Sequence, residues 1–395
     1  MKKKKIGINA SYLRKPNTGI GQVTINFLKT LNKLLPDNVE VILYLEEDFS
    51  SRLLSANNFT KRIFLPFWKR DDLVRKILWE KYLLPKQIEK DKCDVFIDMY
   101  QCPANVQSYT EAQHIMIVHD IIPKLFSEYL DNWRKKLYWN LTEQGIKSAD
   151  KIITVSRRTE KDLIQKLGID QAKISVNYID VDEIYKKDIS TEEKQKENTR
   201  VLAKHKLKPG YILAGGGYEK RKNIEGVVRA YKSLLEKNRK EHFLSDFPDL
   251  VIYRKILPRK LPLATDINKL LKEFNLTKKV KLLNLVPQKD LPALFRNAKL
   301  FVYPSLYEGF GMPVLEAMSV GTPVVTSKFS SLPEVGGDSV LYCDPRNVDD
   351  IAMVMKNILT KEDLRETLTQ RGKDRSKQFS WEKFTEKILN IISEV

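Results

Sequence analysis

Two carboxylates, Glu308 and Glu316, stand eight residues apart in the stretch YEGFGMPVLEAM, separated by two glycines, a proline and an apolar run. Gly309 and Gly311 argue against one continuous helix, because a glycine inside a helix costs roughly 1 kcal/mol relative to alanine. Pro313 suits the first turn of a helix, where its missing N–H has no partner to lose. The pattern predicts Glu308 on a turn after the strand KLFVYP and Glu316 in the first turn of the helix PVLEAMSV. A carboxylate at such a helix start can accept from both hydroxyls of a ribose. Glu308 and the amides of Phe310 and Gly311 can hold the hydroxyls of a sugar. A simple acid at a helix N-terminus explains Glu316 but not the whole block.

Three other stretches carry chemistry. GGGYEKRKNIEGVV (215–228) follows a predicted strand and offers Gly216 and Gly217, then Arg221 and Lys222, then Asn223 in an N-cap position. Backbone amides beside a lysine at a helix start form a diphosphate cradle. NTGIGQVTINFL (17–28) places Gly19 and Gly21 between the first strand and a helix, where backbone can approach a ligand; it lacks the third glycine of a dinucleotide fingerprint and, alone, reads as a plain turn. HIMIVHDIIP places His119 and Asp120 at a strand end, where a histidine can bond a sugar hydroxyl or shuttle a proton, and where a structural turn is an equal alternative. The four histidines are scattered, so a His-based zinc site is not expected; Cys93, Cys102 and Cys343 have no metal spacing, and no cofactor is expected. The odd cysteine count fits a reducing cytosol.

These residues need a scaffold that gathers strand ends. Strand-length apolar runs (KIGINA, EVILYL, CDVFIDM, HIMIVHD, KIITVS) alternate with amphipathic stretches, and the pattern restarts at GYILAGGG with DLVIYR, KVKLLNLV, KLFVYP, TPVVTS and SVLYCD. That alternation predicts an α/β fold of two doubly wound parallel sheets, joined near residues 182–190. Ligands of open parallel sheets lie outside the carboxyl ends of the strands, and two facing sheets would enclose a cleft. At 395 residues the chain is long enough for two cores, and 42% apolar with 30% charged residues is a globular composition. No stretch is long and apolar enough to span a bilayer, and IGINA is too short for a signal core. The net charge of +18 is compatible with a solvated lysine surface, phosphorylated ligands, an anionic membrane or nucleic acid, but no nucleic-acid-binding motif accompanies it.

PSLYEGFGMPVLEAMSVGTPVVTSKFSSLPEVGGDSVLYCDP resembles the nucleotide-sugar block of retaining GT-B glycosyltransferases of family 4, including its Glu-x7-Glu signature. TGIGQ, VHDIIP, ADKIITVSRRTEKDL, EKRKNIEG and FSWEKFTEKI follow in the family's order, and ILWEKYLLPKQIEKDKCDVF is similar to a segment of its mannosyltransferase-like members. The resemblance implies a Rossmann-like acceptor domain over 1–185, a Rossmann-like nucleotide-sugar domain over 186–377, and a last helix, 378–395, that crosses back to the first domain. It implies that Glu316 holds the ribose, that Glu308 with Phe310 and Gly311 holds the donor sugar, and that Lys222 neutralises the leaving diphosphate. His119 would contact the transferred sugar. Gly19 and Gly21 would line the diphosphate or the acceptor side, Gly216 and Gly217 would line the donor, and no metal would be needed. Three positions depart from the pattern: Gly217 where an arginine is common, and Arg254 and Asn284 where glycines are common. Arg254 either restores a phosphate contact or obstructs the site.

The expectation is a retaining hexosyltransferase that uses a nucleotide sugar, GDP-mannose first and UDP- or dTDP-sugars next. Its acceptor would be a glycan or lipid-linked glycan of cell-surface polysaccharide or glycolipid synthesis. It would be cytoplasmic, with peripheral contact to an anionic membrane and no nucleic-acid partner. The segment LPFWKRDDLVRKILWEKYLL, rich in tryptophan and basic residues, is a membrane-contact candidate, or simply a helix on a core. The alternatives are an inactive GT-B partner subunit and a GT-B nucleotide-sugar epimerase or hydrolase.

Overall fold

The computed structural model describes residues 3–47, 59–64, 72–254 and 263–394. Residues 65–71 of the membrane-contact candidate, residues 1 and 2, and residues 255–257 beyond Arg254 lie outside that set. The chain divides into two compact units, Met1–Asp180 with Ser380–Val395, and Val181–Phe379.

In the first unit, seven described strands form one sheet in the order β3-β2-β1-β4-β5-β6-β7. They are β1 (Lys4–Asn9), β2 (Val39–Leu45), β3 (Phe59–Ile63), β4 (Val95–Asp98), β5 (Gln113–Val118), β6 (Lys151–Thr154) and β7 (Ile174–Val176). Every pairing is parallel, and the register sets Ile6 between Val41 and Val95. The near-continuous apolar runs of β2, β4 and β5 reflect burial on both faces of a parallel sheet. The helix Trp381–Ser393 belongs to this unit: Phe384 meets Phe27 edge-on at 6.0 Å, and its carbonyl accepts from Asn177.

In the second unit, six described strands run in the order β10-β9-β8-β11-β12-β13, again all parallel. They are β8 (Tyr211–Gly215), β9 (Leu250–Tyr253), β10 (Val280–Leu283), β11 (Ala298–Tyr303), β12 (Val324–Ser327) and β13 (Leu341–Cys343). Helix Ile224–Glu241 buries Val227, Tyr231 and Leu234 in a core shared with Met355 and Ile358 of helix Val348–Thr360. In each sheet the strand order reverses once, between β1 and β4 and between β8 and β11. Those are the switch points at which doubly wound folds bind ligands.

Some elements differ from the sequence reading. β3 and β7 are additional strands. The charged stretch after residue 190 is a helix, Thr191–His205, opened by a capping box of Ser190 and Glu193. ILWEKYLL is not one regular helix: a π-helical turn, Leu78–Leu83, interrupts it between helices Asp72–Ile77 and Leu84–Asp91. Among the described residues no helix is long and apolar enough to cross a membrane.

Candidate active site

The carboxyl ends of β8 to β11 bring together most of the residues singled out in the second half of the chain. Gly216 and Gly217 follow β8 with φ of 95° and 138°, a backbone that side chains resist. A Cβ at Gly216 would meet the Tyr303 ring at 3.2 Å, whereas one at Gly217 would meet nothing within 4 Å. The glycine turn therefore presents backbone with open space before it. Asn223 then takes a left-handed conformation (φ 57°), caps the helix through Gly226 N–H, and donates to the carbonyls of Pro304 and Pro345. That turn fixes Arg221 and Lys222 beside the loop after β11.

Glu308 is the hub of this arrangement. Its Oε1 lies 2.8 Å from Lys222 Nζ and 2.9 Å from an Arg221 Nη, and it accepts from the Tyr303 and Ser305 hydroxyls, each at 2.7 Å. Arg221 also reaches Glu219 at 3.2 Å, and Lys222 donates to the Tyr303 hydroxyl. Ser330 and Ser331 donate to the Glu308 carbonyl, so the backbone of the turn is held as firmly as the side chain. Burial works to raise the Glu308 carboxyl, but the Arg221 and Lys222 charges outweigh it and hold it down at about 2. Burial lowers the Lys222 ammonium, and Glu308 partly restores it. The site is a fixed cationic pair balanced by one carboxylate, and an anionic ligand would compete with that carboxylate for the cations.

Glu316 sits in helix Met312–Ser319, and Gly311, at φ 116°, forms its N-cap. The carboxylate is entirely buried, hydrogen-bonded to the Tyr185 hydroxyl and close to Tyr253, and both phenols are pushed up by burial and by its charge. In this structure the Tyr185 hydroxyl takes up hydrogen-bonding capacity of Glu316, the carboxylate expected to hold the ribose. Phe310 packs its ring on Phe379 at 5.8 Å, and its carbonyl accepts from Ser331. Arg254 and Asn284 come together, Nη2 to Oδ1 at 2.6 Å, and the guanidinium lies 5.4 Å from the Tyr218 ring centre. The Arg254 Nε is buried with no protein partner among the described residues.

The first unit holds the remaining residues. Gly19 opens helix Gly19–Leu34, and a Cβ there would meet nothing within 4 Å. Gly21 is different. A Cβ there would lie 2.1 Å from the Lys15 carbonyl oxygen, and its N–H is used by the Thr18 cap. Close approach to the Lys15 carbonyl is what makes glycine necessary at this position. His119 is buried, with Nε2 2.9 Å from the Met99 carbonyl. A carbonyl only accepts, so Nε2 carries the proton and Nδ1 is the acceptor. Burial, partly offset by that bond, lowers the ring to about 4. The His119 ring is therefore held mainly neutral near pH 7, with Nδ1 as its acceptor.

Tyr303, Ser305 and Tyr185 received no role from the sequence. Tyr303 ends the strand KLFVYP immediately before the glutamate block, and a hydroxyl at that strand end is the signal that marked it.

A doubly wound parallel sheet in each unit, with a glycine turn, a basic pair and a buried glutamate at the carboxyl ends of the second, defines a GT-B glycosyltransferase. Residues 17–183 match the family described as Glycosyltransferase Family 4, and residues 195–375 match Glycosyl transferases group 1. The chain is 31% identical to O-antigen chain mannosyltransferase B of Escherichia coli over 96% of each protein. It is 27% identical to O-antigen chain mannosyltransferase RfbU of Salmonella typhimurium over 89% of this chain and 90% of RfbU. Its fold is similar to that of HepE of Anabaena, solved in complex with UDP-glucose: TM-score 0.74 at 16% identity, over 99% of this chain and 100% of that one. The chain belongs to glycosyltransferase family 4, in the group that includes the O-antigen mannosyltransferases.

Proposed function

We propose that the protein is a retaining, metal-independent hexosyltransferase that moves mannose from GDP-mannose to a growing or lipid-linked glycan of a cell-surface polysaccharide. UDP- and dTDP-sugars are the next donors to consider. The observation that carries this reading is the Glu308 hub, which fixes Lys222 and Arg221 at the carboxyl ends of the sheet beside the Gly216 and Gly217 turn. The mannosyltransferase names of the full-length relatives support the sugar.

The chemistry follows from charge. The bond between the anomeric carbon and the diphosphate oxygen breaks, and the electron pair stays on the phosphate. Lys222 and Arg221 stand ready to take that charge, with Arg254 as a further donor in place of the missing arginine at position 217. Preorganised donors of this kind are each worth roughly 2.7–4 kcal/mol of barrier. The acceptor oxygen bonds to the anomeric carbon on the same face, and its proton passes to the departing phosphate oxygen. Glu308 then acts as a hydrogen-bond partner of the transferred sugar, and Glu316 as that of the ribose once Tyr185 yields.

A peripheral membrane contact completes the reading. In the first unit, Leu78 and Leu83 on the π turn and Trp133 and Leu137 on helix Trp133–Ser148 are exposed, Trp133 at 72%. They sit among Lys81, Arg134, Lys135 and Lys136.

The test is nucleotide release from GDP-mannose, UDP-glucose, UDP-N-acetylglucosamine and dTDP-rhamnose, with and without membrane lipid extract, beside Lys222→Ala and Glu316→Ala. Turnover of one donor, raised by lipid and abolished in both variants, is the expected result. Release from none of them, with no donor binding, would favour an inactive partner subunit, for which Gly217 and the Arg254–Asn284 pairing are the motivating observations.

A further inference from the structure

A cluster at the carboxyl ends of β1 and β4 plays no part in the donor site. Lys76, in helix Asp72–Ile77, sits among three tyrosines: its Nζ lies 5.0 Å from the ring centre of Tyr12, 5.6 Å from Tyr100 and 5.5 Å from Tyr138. Among the described residues its one hydrogen-bond partner is the Tyr12 hydroxyl, at 3.3 Å. Glu80, one turn further on, is fully buried and accepts from Tyr100 at 2.6 Å and Tyr138 at 2.8 Å. Tyr100 is buried too, while Tyr12, Lys76 and Tyr138 are half-buried and open the cluster to the outside.

The cluster is built rigidly. Arg75, beside Lys76, lies 3.3 Å from the buried carboxylate of Glu46 at the end of β2, which Arg14 also holds at 2.9 Å. The π turn carries Glu80 to its buried position, and such turns recur at functional sites. Tyr100 is within 2.9 Å of Ser11 Oγ, and Asn9 links that corner to the buried Asp98 and His114.

What this surface can bind follows from its chemistry. The half-buried side offers an aromatic ring, phenol hydroxyls and an ammonium with N–H donors that no other described residue uses. Glu80 faces Lys76, and burial pushes its carboxyl up to about 7, so the corner offers hydrogen-bond donors and acceptors rather than a fixed pair of opposite charges. It suits a neutral ring with C–H bonds on its face and hydroxyls at its rim. It also lies at the switch point of its sheet, where ligands of this architecture bind.

We propose that Tyr12, Lys76 and Tyr138 form the subsite for a neutral sugar of the acceptor, stacked on Tyr12 and hydrogen-bonded by Lys76 and Tyr138, with Glu80 and Tyr100 as its floor. That the sugar is an acceptor rests on the transferase reading; that the corner binds a sugar does not. The test is saturation-transfer NMR on the full chain with methyl α-mannoside, α-mannobiose and N-acetylglucosamine, beside calorimetric titration with GDP-mannose and UDP-glucose. Tyr12→Ala and Lys76→Met are expected to weaken binding of the sugar at least tenfold and to leave the nucleotide-sugar titration unchanged. Tyr12→Phe, which keeps the ring, retains most of the binding. The proposal is overturned if none of the three sugars binds the wild type, or if binding is the same in Tyr12→Ala and Lys76→Met. Sugar binding lost in those variants, in a protein that binds neither nucleotide sugar, would uphold the subsite and sink the transferase reading instead.

Discussion

At the scale of single residues, the site is governed by what burial does to charge. Glu308 survives as a carboxylate in a buried place because two cations and two hydroxyls converge on it. Removing one member of a buried pair typically costs about 3–5 kcal/mol, because the partner charge stays behind. Glu308→Gln is expected to lose stability of that order in urea unfolding and to lose at least a hundredfold in donor turnover; a variant that unfolds like the wild type would mean the cations are solvated. His119 gives a pH signature of opposite origin. Its folded value, about 4, lies below the ordinary 6.5, so the unfolded chain binds the proton that the native one refuses. The resulting stability is present in full above pH 6.5 and falls as pH drops toward 4, by on the order of 3 kcal/mol. Urea unfolding of wild type and His119→Gln between pH 4 and 7 measures it, and an unchanged slope in the variant would assign the effect to another group.

At the scale of elements, the turn between β8 and its helix does the positioning. Asn223 combines a left-handed backbone, a helix cap and two bonds to proline carbonyls of other loops. Asn223→Ala forfeits the cap and forces a Cβ residue into the left-handed region without a side-chain bond, at about 2 kcal/mol in sum. Asn223→Gly keeps the backbone and is expected to recover roughly half of that. Both are read by urea unfolding, and donor turnover should fall in the same order, because Lys222 is the preceding residue. An alanine variant that matches the glycine one would show that φ is not the issue. This level also separates what the sequence made legible from what it did not. β2, β5 and β8 announce themselves as unbroken apolar runs, whereas β3, FTKRI, is a polar edge strand and β7, ISV, has only three residues. The interruption at Leu78–Leu83 is invisible, because ILWEKYLL has good helical periodicity and the π turn answers to tertiary bonds at Glu80. The glutamate block could be read from spacing, but its partners could not: Arg221 and Glu308 meet through the pairing of β8 with β11. Arg254 and Asn284 touch because β9 and β10 pair in parallel with Tyr253 beside Leu283, a register no spacing reveals. Gly19 and Gly21 look alike in sequence, and only the path of Lys15 and Pro16 makes one open and the other packed.

At the scale of the whole molecule, the question is why the chain carries a formal charge of +18. The membrane contact proposed above, with an anionic surface, would supply a reason. Basic segments near such a surface gain about 1 kcal/mol per cationic side chain, and the gain fades within a screening length of about 8 Å at physiological salt. Charge alone gives weak, salt-labile binding. Insertion of Trp133 and Leu137 would add a contribution that salt does not screen, about 1.5–3 kcal/mol for each side chain fully buried in the interface. The two contributions separate cleanly in vesicle flotation. Wild-type protein is expected to bind vesicles of anionic phospholipid and to leave those of phosphatidylcholine in solution, with binding that falls as salt rises. Trp133→Ser with Leu137→Ser should reduce binding to anionic vesicles by tenfold or more and leave the salt dependence intact, since no charge has changed. Equal binding to neutral and anionic vesicles would remove the electrostatic half of this account. A double variant that binds as well as the wild type would move the contact away from helix Trp133–Ser148 to another basic face of the molecule.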